Sequence, residues 1–181
     1  MTTVPLTGNA PTDRALAGEP LALLIGMVLN QQVPLALAFR ASLELKDRLG
    51  GRFEAAALAA VDGAEVAAAL AEPPPLHRAP GPMAERVQAL CCHVVDHHGG
   101  DAAQVWATAE TGDELLASLA SLPGFGEAKA RVFMAVLAEH AGVRPPGWEE
   151  VTREFLEGKG FSVAPAPRRW VDDRDAGPPA E

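Results

Sequence analysis

Apolar residues recur along this chain in a helical rhythm. Leu21 to Leu29 is a nearly unbroken apolar run with Pro20 ahead of it. Proline suits the first turn of a helix, where the N–H it lacks would have no partner, so the pattern predicts a helix from Pro20 to about Leu29. Pro34 opens a second helix in the same way. Its stripe of Leu35, Ala38, Phe39, Ser42, Leu43 and Leu45 runs up to Gly50 and Gly51. Two short Ala-rich segments follow, Phe53–Ala60 and Gly63–Ala71, and the second meets Pro73, Pro74 and Pro75, which cannot continue a helix. Residues 73–82 form a Pro-rich loop that carries His77 and Arg78. A longer helix over about Met83–His97 keeps Met83, Val87, Leu90, Cys91, Val94 and Val95 at i, i+3/i+4 spacing until Gly99 and Gly100 stop it. Asp101 is placed to cap a short helix through Trp106.

Thr111 to Glu114 has the form of a capping box for a helix over Glu114–Ser121. Leu122–Gly126 is a tight turn, and Glu127–Ala141 is the next helix, with Val132, Phe133, Val136 and Leu137 inward. Pro145, Pro146 and Gly147 turn the chain again before a last helix of about Trp148–Glu157. No convincing strand is found; Ser162 and Val163 are the nearest candidates and too short. Residues 1–18, rich in Thr, Pro, Gly and Asn, are expected to be a flexible N-terminal arm. Residues 164–181 are expected to be a flexible acidic, Pro-rich tail. One helical domain, residues 19–163, lies between them.

Composition supports an all-α fold. Thirty-five of 181 residues are Ala and there is no Tyr; Ala is the best helix former, whereas aromatic and β-branched residues favour strands. Hydrophobic residues are 48% and charged residues 22%, the balance of a globular chain. The formal net charge is −9. An excess of that sign argues against a broad, non-specific polyanion binder, which would neutralise many phosphates with Lys and Arg. It leaves room for a narrow contact, since Asp172, Asp173, Asp175 and Glu181 concentrate part of the excess in the tail. Cys91 and Cys92 are adjacent, so a disulfide between them is not expected, and a reducing, cytoplasmic setting is the simpler reading. No basic segment followed by an apolar core marks a signal peptide, and no run is long enough to span a membrane.

The richest local signal is Leu122-Pro123-Gly124-Phe125-Gly126-Glu127-Ala128-Lys129-Ala130. Two glycines flank one apolar residue between two helices, an arrangement that permits positive φ and close approach of another backbone. The turn ends on a helix N-terminus, where free N–H groups favour an anion such as phosphate. Lys129, one turn in, would add a point charge. A plain packing corner would use the same residues.

This stretch resembles the helix-hairpin-helix motif of the HhH-GPD superfamily of base-excision DNA glycosylases, which includes endonuclease III and the alkyladenine-type enzymes. Leu23-Leu24-Ile25-Gly26-Met27-Val28-Leu29-Asn30-Gln31-Gln32 is similar to the superfamily's first core helix, which ends in a Gln. The order of His98-Gly99-Gly100, an acid-capped helix and Leu122-Pro123-Gly124 matches as well, over roughly residues 20–155. The resemblance implies an all-helical protein whose partner is duplex DNA with a damaged or mispaired base. It also implies extrusion of that base, because a stacked base cannot be reached inside the duplex. Gln32 aligns with the residue that plugs the vacated gap, with Gln31 beside it; a Gln bonding local carbonyls at a helix end is the plainer reading of the same residues.

Glycosidic cleavage builds positive charge on the sugar, so a carboxylate near C1′ is expected. The resemblance implies an Asp at the start of the helix after the hairpin. This chain has Gly147-Trp148-Glu149-Glu150 there and no Asp. Glu149 and Glu150 are the candidates for the catalytic role; as first-turn acids they also suit a helix dipole. The slot of the Schiff-base lysine of bifunctional members falls on Ala128, with Lys129 about 100° further round the helix. A monofunctional glycosylase without AP lyase activity is therefore expected.

The expected DNA-binding set is Gln31, Gln32, Gly124, Phe125, Gly126 and Lys129. No cofactor is called for: two cysteines are too few for the superfamily's four-Cys iron–sulfur cluster. No metal site is expected at Cys91, Cys92, His93, His97 and His98, although His93 and His97 stand at i, i+4. The protein would act as a monomer at the nucleoid. Two other functions fit the sequence: a non-catalytic binder of DNA lesions or structures on the same fold, and a helical protein-interaction domain.

Overall fold

A computed structural model describes residues 6–158 of the chain. Every regular element among them is a helix. In order they are α1 (Ala10–Ala17), α2 (Pro20–Leu29), α3 (Leu35–Arg48), α4 (Ala55–Ala60), α5 (Gly63–Ala71), α6 (Pro80–His98), α7 (Gln104–Ala107), α8 (Gly112–Ala120), α9 (Glu127–His140) and α10 (Trp148–Gly158).

α2 is apolar on all sides, and all of Leu21–Leu29 is buried. A helix with no polar face has to be surrounded. α3 packs most extensively on it, α6 and α1 cover other sides, and α4 and α5 lie on α6. The second half is a smaller cluster in which α8 and α9 pair and α10 packs across both. One continuous hydrophobic core joins the halves through residues such as Leu90, Trp106, Phe125 and Phe133. No helix among the described residues is long and apolar enough to cross a membrane.

The N-terminal segment departs from the expected mobile arm. Residues 10–17 are helical, and Leu6, Thr7 and Leu16 are buried. Asn9 caps α1, its Oδ1 accepting from the Thr12 amide at 3.1 Å and hydroxyl at 2.9 Å. Asp13 Oδ1 accepts from the Thr7 amide at 2.7 Å and hydroxyl at 2.8 Å, and Pro11 sits in the first turn. Polar loop-like residues thus serve as caps, and apolar Leu16 anchors the turn. The expected tail, residues 164–181, lies outside the described residues.

Elsewhere the differences are in the boundaries. α6 starts at Pro80 instead of Met83, because both prolines fall in its first turn. The Thr111 hydroxyl accepts from the Glu114 amide at 3.2 Å as expected, but the Glu114 carboxylate returns to the Glu110 amide at 2.8 Å, and α8 begins at Gly112. Val132 is half-buried instead of inward.

Candidate nucleic-acid interface

The hairpin consists of α8, a turn over residues 121–126, and α9. Gly124 takes φ +81, where a side chain is strained, while Gly126 is the extended N-cap of α9 at φ −114. Both are exposed, and nothing lies within 4 Å of where a Cβ would sit on either. The turn therefore presents bare backbone at a helix N-terminus, with no capping side chain over its free amides. Phe125 behaves differently from the expectation. It is buried, stacks edge-on against Phe133 at 5.9 Å, and Phe133 does the same with Trp106 at 5.9 Å. Its ring anchors the turn to the core and offers no surface to a ligand.

Lys129 also differs. Its Nζ donates to the Met27 carbonyl at 2.8 Å and approaches the Asn30 carbonyl at 3.4 Å. The Gln31 amide, which would continue the α2 ladder to Met27, instead donates to the Leu29 carbonyl at 2.8 Å. Lys129 supplies the missing donor and puts a cation at the C-terminus of α2. Burial pulls its pKa below the ordinary lysine value, and the nearby Arg86 charge adds to that. Lys129 thereby ties the hairpin to the segment that carries the two glutamines.

That segment is a turn over residues 30–33. Gln32 is the one non-glycine among the described residues at positive φ, 58°, and its side chain is exposed; Gln31 is half-buried. The Asn30 side chain donates to the Val33 carbonyl at 2.6 Å. His77 Nδ1 accepts from the Ala79 amide at 3.0 Å, so Nε2 carries the proton and donates to the Gln31 carbonyl at 3.1 Å. Arg78 donates to the Gln32 carbonyl at 3.1 Å. Arg48 holds the Pro-rich loop in turn, donating to the carbonyls of Ala69 at 2.9 Å, Glu72 at 2.7 Å and Pro74 at 2.8 Å. Local sequence carries no sign of the bonds from His77, Arg78 and Lys129, which join positions 46 and about 100 residues apart.

Glu149 and Glu150 both lie in the first turn of α10, and their surroundings differ. Glu149 is exposed and faces Arg153 across one turn at 3.4 Å. Glu150 lines an open cleft of about 420 Å³ together with Asp113, Leu116, Arg131, Val151 and Phe155. Arg131 stands three residues beyond Ala128 on α9, hence on the same face. It donates to the Val151 carbonyl at 3.1 Å and to the Glu127 carboxylate at 2.9 Å. Next to the cleft residue Asp113, the Gly112 amide donates to the Pro146 carbonyl at 2.8 Å. A Cβ on Gly112 would fall 2.6 Å from the Trp148 nitrogen and 2.7 Å from the Gly147 carbonyl, so only glycine lets the starts of α8 and α10 meet.

Near the end of α6, the His93 and His97 rings are 4.3 Å apart. Among the described residues no three His, Cys, Asp or Glu side chains converge to hold a metal.

No family model matches the chain, and no curated protein matches it. Solved structures do. A non-covalent endonuclease III–DNA complex shares 21% identity over 83% of this chain and 67% of that one, with a TM-score of 0.50. A trapped endonuclease III–DNA covalent intermediate, an estranged-adenine complex, shares 24% over 69% of this chain, with a TM-score of 0.48; the match spans about half of that protein's length, 49%. This chain therefore has the all-helical fold of endonuclease III.

Proposed function

We propose that this chain is a DNA-repair protein that binds duplex DNA, extrudes a damaged or mispaired base and hydrolyses its N-glycosidic bond. The observation that carries the reading is the pairing of an exposed Gln32, held in a strained turn, with the open hairpin amides, both locked to one frame by Lys129. Gln32 fills the gap left by the extruded base, with Gln31 beside it, and its amide can both donate and accept to the orphaned partner base. The amides at Gly124 and Gly126 take a backbone phosphate. The contact is narrow, which suits a chain of net charge −9.

Glu150 is the better placed of the two acids, because it lines a cleft beside the hairpin's second helix while Glu149 is turned to Arg153. In this reading Glu150 stabilises positive charge growing on the sugar and orients a water. The water oxygen bonds to C1′, the C1′–N bond electrons leave with the base, and the water proton ends on the base. Lyase chemistry is not expected, since Ala128 occupies the amine's slot and Lys129 is committed to α2.

Incubation with duplexes bearing uracil, alkylated, oxidised or deaminated bases tests this. The expected product is a strand break that appears only after alkali, reduced about 100-fold by Glu150→Gln. DNA binding with no base release from any lesion sinks the enzymatic claim.

A further inference from the structure

The turn that carries Gln32 is unusually well restrained for an exposed loop. Carbonyls at Met27, Asn30, Gln31, Gln32 and Val33 all accept from side chains. The donors come from α9, from the Pro-rich loop and from Asn30 itself. Such a set holds a residue in a backbone region it would otherwise leave, and strain maintained in this way points to use of the side chain. We infer that His77 and Arg78 are positioning residues that hold Gln32 in its insertion geometry. The inference rests on the repair reading above and goes beyond it by assigning the Pro-rich loop a task.

The physical need is clear. A plug enters the duplex in competition with restacking, and a turn already ordered adds no ordering cost at that step. His77 suits the task because both ring nitrogens are engaged, one by its own loop and one by the Gln31 carbonyl. Arg78 bonds the carbonyl of the positive-φ residue itself, a group that must move if Gln32 relaxes to negative φ. Arg48 keeps the loop docked on α3 and α5, so the clamp rests on the body of the protein.

The test uses the full chain in two arms. In the free protein, 15N relaxation is expected to show a rigid Gln32 amide, with an order parameter near about 0.85, falling below about 0.6 in Arg78→Ala and His77→Asn. Asparagine keeps the acceptor for Ala79 but cannot reach Gln31. His77→Gln places an amide donor where Nε2 stood and is expected to restore the rigidity. In the second arm, each variant is titrated with a duplex carrying a tetrahydrofuran abasic analogue and with the undamaged duplex. Arg78→Ala and His77→Asn are expected to lose about tenfold in preference for the abasic duplex, the weight of one hydrogen bond to a charged or buried group. In a Gln32→Ala background the same changes should cost nothing further.

An equally rigid Gln32 in both variants overturns the assignment and leaves the repair reading standing. An undiminished loss in the Gln32→Ala background also overturns it, because the two side chains would then favour the abasic duplex by a route other than Gln32. A wild-type protein with a rigid Gln32 but no preference for the abasic duplex overturns the repair reading, and the assignment with it.

Discussion

Lys129→Met separates two uses of one cation. Methionine matches the length and flexibility of lysine and removes only the ammonium. The Met27 carbonyl has lost its helical donor, because the Gln31 amide turns to Leu29, so removing Lys129 leaves that carbonyl unpaired. A hydrogen bond from a charged donor at 2.8 Å contributes about 1.5–3 kcal/mol. The charge at the C-terminus of α2 adds about 0.3–1 kcal/mol. The 3.4 Å approach to Asn30 adds little. Against these stands the partial desolvation of the ammonium, visible in its lowered pKa. The expected net loss is about 1–2 kcal/mol, which lowers Tm by about 2–8 °C for a domain of this size. A phosphate contact would have another signature: its removal reduces the slope of log binding constant against log salt by about 0.9. Calorimetry and a salt series on one duplex decide between the two. A lower Tm with the salt slope unchanged is expected. An unchanged Tm with a slope smaller by about 0.9 refutes the internal role and returns Lys129 to the DNA.

Other outcomes follow from the same contacts. Gly112→Ala forces the starts of α8 and α10 apart, since its Cβ meets backbone at 2.6 Å; it should cost about 1–3 kcal/mol by chemical denaturation and reduce base release beyond that effect. Cys91 is buried, and burial with the neighbouring Cys92 pushes its thiol up to about 12. At pH 8 the native protein should take up one equivalent of a thiol reagent, at exposed Cys92, and the unfolded protein two. Burial lowers the pKa of His140 in the folded protein, opposed by the carboxylates of Asp13 and Glu139. The unfolded state then binds more protons, so His140 lowers stability as pH falls below about 6.5. Tm should drop less between pH 7 and pH 5 in His140→Asn than in the parent.

Much of the scaffold was legible from local pattern. α2, α5 and α9 fall within a residue of the spans that prolines, glycines and apolar spacing imply. These signals act over one to four residues, the range over which helix caps and apolar stripes work. α1 escaped because its stabilising groups, Asn9, Thr7 and Asp13, are also the common residues of loops. The candidate site was half legible. The hairpin glycines are exposed ahead of α9, and the glutamines follow the end of α2, positions that chain order alone implies. The fates of Phe125 and Lys129 depended on partners about eight and 100 residues away, and no local rule ranks a ring for the core over a ring for a ligand.

Composition and periodicity by themselves determined an Ala-rich helical chain with a glycine hairpin, because helix formation and turn chemistry are local. Tertiary structure alone decided which polar groups are spent inside the molecule. Lys129 and His77 could equally have met solvent or phosphate; packing brings each to a partly buried backbone carbonyl at the end of α2, and leaving such a carbonyl unpaired costs more than the lost exposure of a side chain.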